Sequence, residues 1–262
     1  HLGVPGGFDD WHWAASLNQA RAVGLAIEHF RALSPLCAGA VVWQLNDMWP
    51  VTSWSAVDGD GRRKPLWYTL RRVFADRLLT FQPRAGGLAL AVVNDSDTPW
   101  AGTAEVVRRG FDGHESARVS LGFEVAPRSA EVRPLPAAVA VAGDAARELL
   151  TAGAEDGDGP AAETAYWFFA EDVDSALPPQ ELDVTAEAVA DGYRLTVKSS
   201  TLVRDLAVLA DRIAPDAVVD RMLVTLLPGQ GADFHVRTAA RVAPEAFADP
   251  LVLRSANQLR YP

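Results

Sequence analysis

The sequence contains a single cysteine among its 262 residues, Cys37. One cysteine cannot form a disulfide within the chain, and Cys37 lies in an apolar run, where a buried free thiol is the usual state. A chain that makes no use of disulfides fits a reducing compartment. We therefore expect a cytoplasmic location.

The sequence also lacks long hydrophobic runs. No stretch reaches the roughly 18 uninterrupted apolar residues of a membrane helix, and the amino end lacks the basic and apolar regions of an export signal. We expect no membrane partner. Residues 1–10 contain three glycines and one proline without a helix or strand period, and the first residue is His1 rather than Met. This pattern predicts a loop at the cut edge of a longer chain.

Positive charge is scarce. The chain has 24 basic and 34 acidic side chains, which gives a net charge of −10. Because this charge repels a phosphate backbone, we expect no nucleic-acid partner. The hydrophobic fraction of 49% and the charged fraction of 22% are close to globular averages and exclude wholesale disorder.

Motifs for metals, cofactors and serine catalysis are missing as well. There is no G-x-S-x-G elbow and no glycine-rich phosphate loop, and no two histidines have metal-ligand spacing. The segment Asp58–Gly61 begins like a calcium loop but lacks the third oxygen ligand and the closing glutamate, so it predicts a plain turn. We expect no metal and no cofactor.

The first 81 residues alternate between helical and strand-like patterns. Apolar residues recur every three or four positions from Leu17, which predicts a helix over 16–33 with Ser16 as its N-cap. The run Ala38–Leu45 (AGAVVWQL) predicts a strand covered on both faces, as in a parallel sheet. A second helix is predicted over 66–76, with Pro65 at its start.

This order is typical of an α/β barrel or a doubly wound sheet. One strand cannot form a sheet, so residues 1–81 cannot close a core alone. We expect them to expose an apolar strand edge and helix faces unless a missing part of the protein covers them.

Short β runs separated by turns dominate the remainder and predict two β-sandwiches, over 82–179 and 180–262. Residues 94–97 are predicted to form a hairpin turn, and the acidic, glycine-rich residues 152–162 a surface loop. The β runs of the first series are Leu88–Val93, Thr103–Arg108, Ala117–Val125, Ala130–Arg133 and Ala165–Ala170. Those of the second series are Leu182–Val189, Tyr193–Lys198, Leu206–Leu209, Met222–Leu227 and Phe234–Ala239.

The candidate site is the cluster WQLNDMWP, residues 43–50, after the predicted strand. The indoles of Trp43 and Trp49 offer flat apolar faces to the C–H groups of a sugar, and Asn46 and Asp47 supply hydrogen-bonding groups for its hydroxyls. The alternative is that both tryptophans are core residues and that Asn46 and Asp47 cap the strand end. Three flanking tryptophans favour the sugar site: Trp11, Trp13 and Trp54.

The cluster and its surroundings resemble the last part of the catalytic barrel of β-mannosidases, which belong to glycoside hydrolase family 2. The matching segments are Leu17–Ala20, Ile27–Arg31, Gly39–Pro50, Thr52–Ser55 and Gly61–Tyr68. A fainter likeness continues over 165–171 and 226–229. The resemblance implies that residues 1–81 are the last strand and helices of a TIM (β/α)8 barrel. It also implies that residues 82–179 and 180–262 are immunoglobulin-like β-sandwich domains.

The resemblance further implies retaining hydrolysis by two glutamates whose carboxyl groups stand about 5 to 5.5 Å apart. In the family both lie on barrel strands that precede the unit found here, and the Ser-Glu-Phe-Gly-type nucleophile segment does not occur in this sequence. Glu28 falls in a predicted helix, and Glu105, Glu115 and Glu124 fall in the first sandwich. We therefore assign no catalytic residue in this chain and expect it to be inactive alone.

Four residues are assigned to substrate binding from the resemblance. Trp43 matches the tryptophan that lines the terminal-sugar subsite, while Asn46, Asp47 and Trp49 shape the pocket or hold Trp43 in place. Asp47 has a second interpretation, a structural hydrogen bond to the next loop.

The implied parent is an exo-acting β-mannosidase, whose partners are a β-mannoside and the missing amino-terminal part of the enzyme. The sequence QLND after Trp43 favours mannose as the substrate sugar. Two alternatives remain open: another family 2 glycosidase, such as an exo-β-glucosaminidase or a β-galactosidase, and a noncatalytic carbohydrate-binding or scaffold module.

Overall fold

Two long helices open the chain in the computed structural model, which describes residues 1–155 and 162–260. Helix α1 spans Phe8–Arg31, with Gly7 as its N-cap. It begins eight residues before the predicted start, so Ser16 is not the N-cap, and the loop predicted over residues 1–10 is confined to residues 1–7. The earlier start has a physical basis, because Asp9 and Asp10 stabilise the first turn through the helix dipole.

One buried stripe runs along the whole of α1. Its members recur every three or four residues, as a helix packed on one side requires. They are Trp13, Leu17, Ala20, Gly24, Ile27 and Arg31.

Helix α2 spans Pro65–Val73 and confirms the second predicted helix, three residues shorter at its end. Pro65 occupies a first-turn position, and Arg71 and Arg72 lie in the last turn, where the helix dipole favours cations. The two helices pack together at Gly24. A Cβ atom there would lie only 2.7 Å from Cγ2 of Thr69, so glycine permits the close approach.

The predicted buried strand over Ala38–Leu45 is wrong for this chain. Its backbone is irregular, and Val41 is 98% exposed. A strand buried on both faces needs neighbouring strands. Among the described residues this region has only two isolated bridges, from Asn46 to Val57 and from Val57 to Arg63.

The chain from residue 77 to residue 168 forms two packed antiparallel sheets, with strand orders β1-β2-β5 and β4-β3-β6-β7. The strands are β1 Arg77–Arg84, β2 Gly87–Asn94, β3 Trp100–Gly110, β4 Glu115–Val125, β5 Ser129–Pro134, β6 Glu148–Glu155 and β7 Ala165–Phe168. One hydrophobic cluster, which includes Leu90, Trp100 and Leu150, lies between the sheets. A short helix, α3, covers Ala137–Ala140. The first predicted β-sandwich is therefore present.

Two turn predictions in this region need correction. Residues 94–97 connect β2 to β3, which lie in different sheets, so they do not form a hairpin. The Asn94 side chain is buried and donates to three backbone carbonyls, among them that of Val125 at 3.1 Å. Of the loop predicted over 152–162, residues 152–155 belong to β6, and residues 156–161 lie outside the described residues.

A second pair of antiparallel sheets follows, with strand orders β11-β13-β9-β8 and β12-β10-β14. The strands are β8 Leu182–Val189, β9 Gly192–Ser199, β10 Val203–Val208, β11 Val218–Val219, β12 Val224–Leu226, β13 Gly231–Arg237 and β14 Leu253–Arg254. A separate hydrophobic cluster, which includes Leu195, Val208 and Phe234, fills their interior. Three 3-10 turns occur at Ala210–Arg212, Pro244–Ala248 and Asn257–Arg260.

The two helices are anchored on this β structure. Trp13 and Leu17 share a third hydrophobic cluster with Leu149 of β6 and Leu202, which precedes β10. The Trp13 indole is 1% exposed and donates to the carbonyl of Ser255 at 2.9 Å, so Trp13 is a core residue rather than part of a sugar site. In α2, Tyr68 lies in the second sandwich's cluster.

A cluster of four charges reinforces this junction. From α1, Arg21 donates to Asp205 at 2.8 and 2.5 Å and to Asp172 at 2.9 Å. Arg204 of β10 donates to Asp172 at 2.6 Å, and its guanidinium stacks 3.8 Å from the ring centre of Phe168. These four side chains tie α1, the end of the first sandwich and β10 together.

Exposed apolar side chains concentrate at the amino end. Of the seventeen large hydrophobic residues that are exposed among the described residues, fourteen lie within residues 1–81. Such a concentration marks a surface that water solvates poorly. None of the described helices has both the length and the apolar character that a membrane crossing requires.

Candidate functional site

The four predicted site residues lie in the long connection between α1 and α2. We call residues 38–64 of this connection the α1–α2 loop. Trp43 is 73% exposed and Trp49 is 63% exposed. Neither indole is part of the core, which removes the core-packing interpretation for this chain. Two apolar aromatic faces are thus available for contact.

Burial in the α1–α2 loop is inverted relative to an ordinary loop. Asp47 is only 7% exposed, whereas its neighbours Asn46 and Met48 are exposed. In residues 38–54, Asp47 is the one buried side chain. A buried carboxylate requires partners, because an isolated buried charge is very costly.

Three of those partners come from farther along the same loop, and one, Gln44, precedes Asp47. The hydroxyls of Ser53 and Ser55 each donate to Oδ2 of Asp47 at 2.6 Å, and Nζ of Lys64 lies 3.5 Å from the same oxygen. Nε2 of Gln44 donates to Oδ1 at 3.4 Å. Asp47 therefore makes the structural hydrogen bonds that its second interpretation predicted.

The electrostatics agree with this geometry. Hydrogen bonds from Ser53 and then Ser55 lower the pKa of Asp47, and Lys64 adds to the effect against the opposing influence of desolvation. The carboxylate is consequently ionised at neutral pH and acts as a hydrogen-bond acceptor. It is not placed to donate a proton.

Backbone hydrogen bonds also hold the first part of the α1–α2 loop against its return. The amides of Ala56 and Val57 donate to the carbonyl of Leu45 at 3.1 and 2.8 Å, and the amide of Asp47 donates to the carbonyl of Val57 at 3.0 Å. The amide of Lys64 donates to the carbonyl of Ala56 at 2.9 Å. Residues 44–47 are thereby held against residues 56–57.

A glycine-containing turn packs against the backbone of Trp49. Asp58 accepts hydrogen bonds from the amides of Asp60 and Arg62, and Gly61 has a φ of 83°, so this segment is the turn that the sequence predicted. A Cβ on Gly59 would lie 2.5 Å from the carbonyl carbon of Trp49. Only glycine allows the turn to pack so closely against the backbone of Trp49.

The remaining candidate residues are Asn46 and two of the flanking tryptophans, Trp11 and Trp54. Asn46 donates from Nδ2 to the carbonyl of Asp47 at 3.2 Å, so its side chain turns toward its own loop. Trp54 and Trp11 are exposed. Near the start of α1, burial, followed by the charge of Arg212, lowers the pKa of His12.

Sequence reasoning missed Gln44, Ser53, Ser55 and Lys64 as partners of Asp47. A signal was present, because an aspartate in a segment rich in apolar residues needs polar partners when it is buried, and Ser53 and Ser55 follow six and eight positions later. Nothing in the spacing identified Lys64. Its position depends on how the loop closes onto α2.

The glutamates that the sequence excluded as catalytic residues take part in ordinary contacts. Glu28 pairs with Arg72 at 2.7 Å and accepts from Thr80 at 2.8 Å. Glu105 and Glu115 both pair with Arg118 on the surface of the first sandwich. Within residues 1–155 and 162–260, no group of three or more His, Cys, Asp or Glu side chains could hold a metal ion.

The chain shares short stretches of sequence with known proteins. No protein-family model matches the chain. It is 56% identical over 39 residues to β-mannosidase B of Thermothelomyces thermophilus, a match that covers 15% of this chain and 5% of that protein. It is 54% identical over 37 residues to β-mannosidase B of Aspergillus niger, covering 14% and 4%. The matches thus span a small part of the curated relatives.

Solved structures resemble nearly the whole chain. The β-D-mannosidase of Dictyoglomus thermophilum superposes with a TM-score of 0.79 at 21% identity, covering 97% of this chain and 30% of that one. The exo-chitosanase of Amycolatopsis orientalis superposes with a TM-score of 0.66 at 18% identity, covering 90% and 33%. At such identities the likeness establishes the fold.

Together these matches confirm the resemblance to glycoside hydrolase family 2. Within that family, the resemblance that the sequence predicted and the comparisons confirm is to the β-mannosidases.

Proposed function

We propose that the chain is the carboxyl-terminal portion of an exo-acting, retaining β-mannosidase that removes terminal β-linked mannose. The observation that carries the proposal is the 56% identity over 39 residues to a β-mannosidase. In this proposal, residues 1–81 complete a TIM barrel, and residues 82–179 and 180–262 are immunoglobulin-like sandwich domains.

The surface of residues 1–81 supports a missing barrel. Val41 and Leu45 are exposed in a segment whose composition is that of a buried strand. A backbone without neighbouring strands leaves its amides and carbonyls to water. In the proposed enzyme, the preceding barrel strand and the first one flank this segment, so that residues 38–45 become the strand that their sequence predicts.

In this arrangement Trp43 lies at the carboxyl end of the last strand, where barrel loops converge on the active site. Its indole stacks on the terminal mannose, and Trp49 and Asn46 form the adjoining wall. The acid and the nucleophile come from the missing part. The chain alone is then inactive, because binding a sugar without those groups accelerates nothing.

The test is substrate preference. The full-length natural protein is expressed, and its initial rates on nitrophenyl β-mannoside, β-galactoside and β-glucosaminide are compared. We expect the mannoside to be preferred by at least about tenfold in kcat/KM, with net retention of anomeric configuration. A preference for either other substrate would contradict the assignment.

A second candidate is an exo-β-glucosaminidase. It is favoured by the fold similarity to the exo-chitosanase of Amycolatopsis orientalis. The exo-β-glucosaminidase is the second candidate because the β-D-mannosidase superposes with the larger TM-score, 0.79 against 0.66. The glucosaminide arm of the same experiment decides between the two.

A further inference from the structure

Asp47 and its partners Gln44, Ser53, Ser55 and Lys64 form a hydrogen-bonded group in the α1–α2 loop, which we call the Asp47 cluster. Its acceptor, Asp47, is buried, and its donors Ser53 and Ser55 reach it at 2.6 Å. Ser55 is itself fully buried. The short distances and the burial mark a fixed arrangement rather than a solvated surface contact.

The cluster joins three parts of the chain. Gln44 and Asp47 belong to the tryptophan-bearing segment, Ser53 and Ser55 to the return of the loop, and Lys64 is the N-cap residue of α2. Nζ of Lys64 also donates to the carbonyl of Ser53 at 3.3 Å. Since α2 packs on α1 and on the second sandwich, Lys64 connects the loop to the rigid body of the molecule.

Asp47 lies between the two exposed indoles in the sequence, four residues after Trp43 and two before Trp49. The side chains of Leu45 and Met48, on either side of it, are exposed. The carboxylate and the backbone hydrogen bonds of Leu45 and Asp47 therefore fix together where the segment that carries both rings lies.

We propose that Asp47, Ser53, Ser55 and Lys64 form a positioning site that holds Trp43 and Trp49 in place for the sugar. This inference rests on the proposed function for the identity of the sugar, and on the cluster's geometry for the anchoring. Asp47 acts through the loop segment that carries the tryptophans. It is a positioning residue rather than a group that touches the substrate.

The test compares variants in the full-length protein. Asp47→Ala removes all four side-chain hydrogen bonds. Asp47→Asn keeps an oxygen for the two serine hydroxyls and loses the charge that faces Lys64 and the acceptor for Nε2 of Gln44. Should Asp47→Ala fold poorly because it leaves the ammonium of Lys64 without a partner, the double variant Asp47→Ala/Lys64→Met replaces it. The control is Asp216→Ala, which removes a hydrogen-bonded carboxylate in the second sandwich, where it accepts from a hydroxyl at 3.0 Å and from a backbone amide at 2.8 Å.

The first readout is hydrogen exchange of the backbone amides of residues 44–57. We expect about tenfold faster exchange at Val57 and Asp47 in Asp47→Ala, a smaller increase in Asp47→Asn and no change in Asp216→Ala. Unchanged protection in Asp47→Ala would overturn the anchoring role.

The second readout is kinetic. We expect KM for nitrophenyl β-mannoside to rise about tenfold in Asp47→Ala, with partial recovery in Asp47→Asn. A fall in kcat at constant KM would indicate lost active protein and would overturn the positioning role. If the wild-type protein does not hydrolyse the mannoside, the proposed function fails, and the exchange comparison alone decides whether Asp47 anchors the loop.

Discussion

At the scale of single residues, the α1–α2 loop exposes its aromatic rings and buries a carboxylate. Trp43 and Trp49 lie at the surface, while Asp47 is enclosed by serine hydroxyls and Lys64. In an ordinary globular loop the apolar groups would be the buried ones. The inversion is understandable if the rings face a ligand or a further part of the protein.

Trp43 provides the residue-scale prediction. Replacing Trp43 with Ala in the full-length protein should lower kcat/KM for a β-mannoside about tenfold, because stacking contributes about 0.5–1.5 kcal/mol beyond buried area. Trp43→Phe keeps an aromatic face and serves as the matched control, with a smaller loss expected. Steady-state kinetics measures both, and equal activity of Trp43→Ala and wild type would exclude a sugar-stacking role.

The site could be predicted only in part from the sequence. The tryptophans and Asp47 were found because unusual residue types cluster at residues 43–50. Trp13 was misjudged, since its place in α1 depends on a helix start that Gly7 caps without a side-chain signal. The contact to Lys64 forms only when the loop folds back onto α2.

At the scale of elements, sequence patterns predicted those helices and strands that depend mainly on local interactions. Helix α2 and most strands of both sandwiches follow from their periodicity and turn residues. Strands β1, β6, β11 and β14 were missed. The last two are only two residues long, and in β6 the small residues Thr151, Ala152 and Gly153 weaken the β signal. The segment 38–45 has the composition of a strand but lacks neighbours, because sheet formation depends on partners distant in sequence.

The α1–α2 contact supplies the element-scale prediction. Gly24→Ala should lower the free energy of unfolding by about 1 kcal/mol. The methyl group meets Cγ2 of Thr69 at 2.7 Å, and overpacking costs about 1–3 kcal/mol, which exceeds the gain of up to about 1 kcal/mol in helix propensity.

The double variant Gly24→Ala/Thr69→Ser removes the clashing methyl group and should recover most of that loss. Urea unfolding of the 262-residue chain measures all three proteins. A stabilised Gly24→Ala would show that the helices separate easily at this point.

At the scale of the whole molecule, charge holds the helices to the β structure. Asp205 is partly buried, and burial alone would raise its pKa, but Arg21 and Arg204 outweigh burial and lower it. A carboxyl group whose pKa is lower in the folded state stabilises the fold above its unfolded pKa of about 3.9 and loses that contribution as the pH falls through the folded value.

The free energy of unfolding should therefore fall as the pH drops below about 4. The fall should be shallower in Asp205→Asn, which has no such carboxyl group to protonate. Chemical unfolding at a series of pH values measures the difference between the two slopes. Parallel curves for wild type and Asp205→Asn would show that the arginines do not stabilise this carboxylate.

The central claim is that residues 1–81 complete a larger barrel and that Trp43 forms part of the wall of its sugar site. The most direct measurement is a crystal structure of the full-length protein with a bound non-hydrolysable β-mannoside. The account predicts that residues 38–45 pair with neighbouring strands and that the Trp43 indole lies in contact with the sugar, about 4 Å from its ring atoms. A sugar bound elsewhere, or residues 38–45 still unpaired and exposed to solvent, would contradict it.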